Sequence, residues 1–123
     1  MAKKILVVDD EPEIVELLKT RLEVSGYQVV TAGNGVTALR TVKEERPDLL
    51  ILDMMLPDIQ GSTICAQIKA DEKYSFIPVI LLTARSSDYD KDVVRTIKAD
   101  AYITKPFKQE VLLKTVKDLL RLP

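Results

Sequence analysis

Two hydrophobic rhythms alternate along the chain. Near-continuous apolar runs at about residues 4–8, 27–31, 48–52, 78–82 and 100–103 have the length and the Val, Ile and Leu content of buried strands. After each run, apolar residues recur at helical spacing. The first helix is predicted to open at Pro12, which a first turn tolerates, to align Ile14, Leu17, Leu18 and Leu22, and to end at Gly26. The second, about 34–45, uses Val36, Leu39 and Val42, with Pro47 marking its exit, and the third, about 62–70, uses Ile64 and Ile68. The fourth, about 87–98, uses Val93, Val94 and Ile97, and the fifth runs from Phe107 through Val111, Leu112, Val116, Leu119 and Leu120. Strands apolar on both faces, each followed by an amphipathic helix, predict a parallel sheet covered on both sides, because right-handed crossovers put the helices there. The expected fold class is α/β, a doubly wound (βα)5 three-layer sandwich.

Polar residues punctuate the ends of these runs. Asp9 and Asp10 close the first, Asp53 the third, Thr83 the fourth, and Lys105 follows the fifth. If the strands are parallel, all five groups share one edge of the sheet, where open α/β folds hold their ligands. Clustered carboxylates repel, raise one another's pKa and need a compensating cation, and hard oxygen ligands suit Mg²⁺. Each residue alone has an ordinary structural reading: Asp10 as the cap of the helix at Pro12, Thr83 as a turn residue, Lys105 as a solvated loop lysine. The functional reading belongs to the set.

Composition narrows the classes. At 123 residues the chain has the size of one domain, and 18 basic against 19 acidic residues leave no strong field toward nucleic acid or anionic lipid. There is no histidine and one cysteine, Cys65, so an intrachain disulfide is impossible and the commonest transition-metal ligand is missing. Cys65 lies in helical spacing with Ile64 and Ile68 and reads as a packing residue. Met-Ala-Lys-Lys passes straight into the first strand pattern, and the expectation is a cytoplasmic protein without a leader.

In four blocks the chain resembles the receiver domain of two-component response regulators, the chemotaxis-regulator-like family, over essentially its full length. The blocks are Val7-Val8-Asp9-Asp10-Glu11-Pro12, Leu52-Asp53-Met54-Met55-Leu56-Pro57 with Gly61, Ile77-Pro78-Val79-Ile80-Leu81-Leu82-Thr83-Ala84, and Tyr102-Ile103-Thr104-Lys105-Pro106-Phe107. The resemblance implies a flavodoxin-like sheet in the order 2-1-3-4-5 and one response regulatory domain over 1–123. It implies that Asp53 accepts a phosphoryl group from a histidine kinase phosphohistidine, with Mg²⁺ held by Asp10, Asp53 and the backbone carbonyl of Met55 directly and by Asp9 chiefly through water. It further implies that Lys105 pairs with Asp53 and then with the phosphoryl group, that Thr83 donates its hydroxyl to a phosphoryl oxygen, and that Lys105-Pro106 is cis. Thr83 and Tyr102 would form the switch. The output surface would be the fourth helix, fifth strand and fifth helix, with Val94, Lys98, Ile103 and Lys114, binding a downstream protein, an output domain or a second copy. Such a protein catalyses chemistry on itself rather than on a separate substrate, and it contacts neither nucleic acid nor membrane.

Several positions depart from the family pattern. Lys98 stands where a glycine commonly ends the fourth helix, and Ala101 replaces a frequent acid. Val111 and Thr115 replace a charged pair found at the dimer interface of receivers of winged-helix transcription factors. Met55 puts a bulky apolar residue beside the acceptor, which predicts a long-lived phosphoryl group. The alternative function is a pseudo-receiver that binds partners without phosphorylation, against which the intact Asp9, Asp10, Asp53, Thr83 and Lys105 argue. A dehalogenase-like phosphohydrolase needs Asp-x-Asp after the first strand, which Asp9-Asp10-Glu11 lacks, and no Gly-x-x-x-x-Gly-Lys loop is present.

Overall fold

The computed structural model describes residues 2–84 and 98–121. Five parallel strands, β1 (Lys4–Val8), β2 (Gln28–Ala32), β3 (Leu49–Asp53), β4 (Val79–Thr83) and β5 (Ala101–Thr104), form one sheet in the order β2-β1-β3-β4-β5. Helices α1 (Pro12–Val24), α2 (Gly35–Glu45) and α3 (Gly61–Ala70) and a C-terminal helix (Gln109–Arg121) cover it. The expected fourth helix, with Val93, Val94 and Ile97, lies outside the described residues, except for Lys98. No helix among the described residues is long and apolar enough to cross a membrane.

Strand parity divides the core. Leu6, Val8, Leu50, Leu52, Val79 and Leu81 pack with Ala38 and Val42 of α2 and Ile64, Cys65 and Ile68 of α3. Ile5, Val7, Leu49, Ile51, Ile80, Leu82 and Ile103 pack on the other face with Leu18 and Leu22 of α1 and Leu112 and Val116 of the C-terminal helix. Successive side chains of a strand point to opposite faces, so a run buried on both sides must be apolar throughout. Cys65 is buried, and burial pushes its thiol up to about 11, which leaves it a packing residue.

Strands β2 to β5 begin and end one residue later than the apolar runs suggest. The ladder continues into the polar residue: Asp53 stands opposite Leu82 and Thr83 opposite Thr104. Both functional candidates are therefore strand residues held by backbone pairing rather than loop residues. The C-terminal helix starts at Gln109, not at Phe107, whose ring packs against the second core cluster. Gly26, with φ +98°, supplies the left-handed turn after α1. Lys98 has φ +61°, a left-handed conformation that glycine adopts more easily.

Candidate functional site at the C-terminal edge of the sheet

The sheet order places the ends of β1 and β3 side by side, with β4 and β5 following. Asp9 follows β1, Asp53 ends β3 and Thr83 ends β4. Among the described residues these three are the buried polar side chains, at 1%, 5% and 2% exposure. Polar groups are rarely buried without partners. That all three lie at one edge marks it as the part of the molecule not built for stability alone.

Four carboxylates converge there. One oxygen each from Asp9, Asp10, Glu11 and Asp53 lies within 4.8 Å of the others. Asp10 and Glu11 are exposed and form the mouth, while Asp9 and Asp53 form the floor. Asp10 is not the cap of α1: that position is Glu11, whose side chain makes no capping bond. Asp9 Oδ1 instead accepts from the Glu11 backbone N–H at 2.9 Å, which folds the chain back at the start of the helix. Asp10 is left facing the cluster with no capping duty.

Lys105 reaches this group across the sheet edge. Its Nζ stands 2.8 Å from Asp9 Oδ2, 3.2 Å from Glu11 Oε1 and 3.5 Å from Asp53 Oδ1. The expected pairing with Asp53 is thus the longest of three, because the deeply buried Asp9 holds the ammonium more closely. Burial alone would lower the Lys105 pKa, but the hydrogen bond and charge of Asp9, with Asp53 and Glu11 adding to them, raise it above its ordinary value. Asp53 is also raised. Burial is the main cause and the Asp9 charge adds to it, against the opposing pull of Lys105 and of the Met55 N–H. The Lys105–Pro106 bond is cis, as the resemblance implied.

Thr83 Oγ1 is buried and has no hydrogen-bond partner among the described residues. A buried hydroxyl left unpaired costs about 1–3 kcal/mol, and this one stands at the same edge as Asp9 and Asp53. Tyr102 pairs in register with Leu81, two residues before Thr83, and is half-buried on the same face of the sheet. Ile103, expected on the output surface, is instead 7% exposed and belongs to the core beside the C-terminal helix. Its odd position in β5 turns it to the opposite face from Tyr102.

The loop after Asp53 is tightly held. Met55 N donates to Asp53 Oδ1 at 3.3 Å, and the Met55 side chain is 68% exposed. Gly61 N donates to the Met54 carbonyl at 2.9 Å, and a Cβ on Gly61 would collide with the Asp53 carbonyl. Glycine is required there for close approach. Three contributors had no role assigned from the sequence: Glu11 and Gly61, which stood there only as members of the matching blocks, and Asp58. Glu11 had a signal, since it adjoins Asp9-Asp10 where a helix begins. Gly61 had a weaker one, as a glycine opening a helix. Asp58 had none, because its partners lie 22 and 23 residues away.

The donor set is all oxygen, with several carboxylates and no sulfur or imidazole, which fits a hard divalent cation such as Mg²⁺. Fold and site together define a flavodoxin-like α/β domain with an acidic centre at the ends of its strands. A family model described as the response regulator receiver domain matches residues 5–117. The chain is 46% identical over 121 residues to the alkaline phosphatase synthesis transcriptional regulatory protein PhoP of Bacillus subtilis, covering 98% of this chain and 50% of that protein. Among solved structures, a response regulator of Chloroflexus aurantiacus superposes with a TM-score of 0.92 at 32% identity, covering 99% of this chain and all of that one. The response regulator TrrA of Thermotoga maritima, in complex with Mg²⁺-BeF, superposes with a TM-score of 0.85 at 41% identity, covering 95% and 98%. The chain belongs to the receiver domain family of response regulators. It spans about half the length of the curated relatives it matches.

Proposed function

We propose that residues 1–123 act as one response regulatory domain, a cytoplasmic switch that takes a phosphoryl group from a histidine kinase or phosphotransfer protein onto Asp53. The observation that carries this reading is the convergence of buried Asp53, the Lys105 ammonium and the unpartnered Thr83 hydroxyl at one edge of the sheet.

Asp10, Asp53 and the Met55 carbonyl would hold Mg²⁺, with Asp9 acting chiefly through water. The cation, when bound, neutralises carboxylate repulsion and draws charge from the phosphoryl oxygens. An ionised oxygen of Asp53 attacks phosphorus, an O–P bond forms, and the N–P bond to the donor imidazole breaks; the departing nitrogen takes a proton from solvent. Lys105 loosens from Asp9 and Glu11 to meet one phosphoryl oxygen as a compact point charge, and Thr83 donates to another. Water attack on phosphorus later restores the carboxylate, so donor-driven uptake and self-dephosphorylation are reactions of the domain on itself. Met55, beside the acceptor, hinders that water and lengthens the lifetime of the phosphoryl group.

When Thr83 moves toward the phosphoryl group it vacates space on the face that carries Tyr102. Inward movement of that ring then changes the surface that includes Lys98 and Lys114, for a downstream protein, an attached output domain or a second copy. The domain itself contacts neither nucleic acid nor membrane. Intact-mass measurement after incubation with acetyl phosphate tests this reading. One Mg²⁺-dependent phosphoryl adduct is expected in the wild type and none in Asp53→Asn. No adduct with acetyl phosphate or with phosphorylated histidine kinases would favour a phosphorylation-independent interaction module.

A further inference from the structure

Asp58 stands outside the carboxylate cluster, yet it anchors the loop on which Met55 sits. Its Oδ1 accepts from the backbone N–H of Gly35 at 2.7 Å and of Ile59 at 2.9 Å, and its Oδ2 accepts from Val36 N–H at 3.0 Å. Gly35 and Val36 are the first residues of α2, whose N–H groups have no acceptor inside the helix. One carboxylate therefore joins the loop after β3 to the start of a helix from a different crossover. The bonds to Gly35 and Val36 hold the Asp58 carboxyl below the usual carboxylate range.

The junction is closely packed. A Cβ on Gly35 would lie 2.8 Å from Ile59 Cβ, 2.9 Å from Ile64 Cδ1 and 3.2 Å from Asp58 Oδ1. The other end of the loop is fixed where Gly61 meets the Asp53 backbone. Met55 lies between these anchors, with its N–H on Asp53 Oδ1. A second cap of α2 stays local: Asn34 Oδ1 accepts from Thr37 N–H at 2.8 Å and touches no part of the loop through that bond. The same helix thus carries one cap that holds the loop and one that does not.

We infer that Asp58 is a positioning residue for the cation: by fastening the 54–60 loop to α2 it sets where the Met55 backbone stands against Asp53, and so how tightly Mg²⁺ is held. This rests on the reading of the Met55 carbonyl as a ligand. Residues that orient ligands from outside the coordination sphere control affinity as well as geometry.

Calorimetric titration of the full chain with Mg²⁺, without any phosphodonor, tests the inference. Asp58→Ala is expected to weaken binding on the order of tenfold. Asp58→Asn, which keeps one accepting oxygen, is expected to lose less but to differ measurably from wild type, and it decides the matter if Asp58→Ala fails to fold. Asn34→Ala, which removes a cap from the same helix, is expected to bind as wild type does. Wild-type affinity in the Asp58 variants, or an equal loss in Asn34→Ala, would overturn the positioning role. A wild type that binds no Mg²⁺ would overturn the reading of the site itself, and this inference with it.

Discussion

Asp53 is held in a place that penalises its charge, and this has a thermodynamic signature. Its raised pKa means that the native chain binds the proton more tightly than the unfolded chain, for which a carboxylate near pH 3.9 is the reference. Stability is then lost as pH rises from that unfolded value through the raised native one. Asp53→Asn should therefore have a higher Tm than wild type at neutral pH, with the gain vanishing below about pH 4. Thermal melts at several pH values, with chelator present, check this. Thr83 carries the opposite test, since its hydroxyl has no hydrogen-bond partner among the described residues. Thr83→Val is expected to leave stability equal or higher while slowing phosphoryl uptake by roughly tenfold or more, because a donor aimed at developing charge is lost. Denaturant unfolding and adduct formation read the two effects separately. These residues were legible because each stands at the end of an apolar run. The pairing of Lys105 was not: its preference for Asp9 over Asp53 depends on which carboxylate is buried deeper, 96 residues away in the chain.

Elements were the most legible scale where apolar spacing ran long, as in α1 and the C-terminal helix. They were least legible at their ends, where hydrogen bonding rather than burial decides. Asn34 caps α2 and so lies outside it, and Asp53 and Thr83 remain in the ladder although neither is apolar. Gly61 shows a constraint that helical propensity conceals. Gly61→Ala should lower stability by about 1–3 kcal/mol, since backbone rather than a flexible side chain opposes the new methyl group. Equilibrium denaturation measures it. A second brace ties α3 to the entries of β4 and β5: Lys69 Nζ lies 2.8 Å from Asp100 Oδ2 and 2.7 Å from the Ile77 carbonyl, and Asp100 Oδ2 accepts from Val79 N–H at 2.7 Å. Asp100→Ala should cost about 1–2 kcal/mol by leaving the strand donor and the ammonium short of a partner. The same denaturation curves would show it. No local pattern announced this brace, because its members come from separate stretches of the chain.

At the scale of the molecule, one sheet does two jobs. Its middle is apolar on both faces and carries the stability, while its C-terminal edge gathers the charged and polar groups that the core excludes. The alternation of strands and helices made the layers and the shared edge readable. Which side chains lie on the output surface was less so: the resemblance put Ile103 there, but its parity turns it into the core. The central claim is that this edge exists to place a phosphoryl group on Asp53 and no other residue. Borohydride reduction of the phosphorylated chain, followed by peptide mass spectrometry, tests it most directly, because an aspartyl phosphate is reduced to homoserine where it formed. Homoserine at position 53 alone, dependent on Mg²⁺, is the predicted result; homoserine at position 9 or 10, or a phosphoryl group that survives on a serine or threonine, would contradict it.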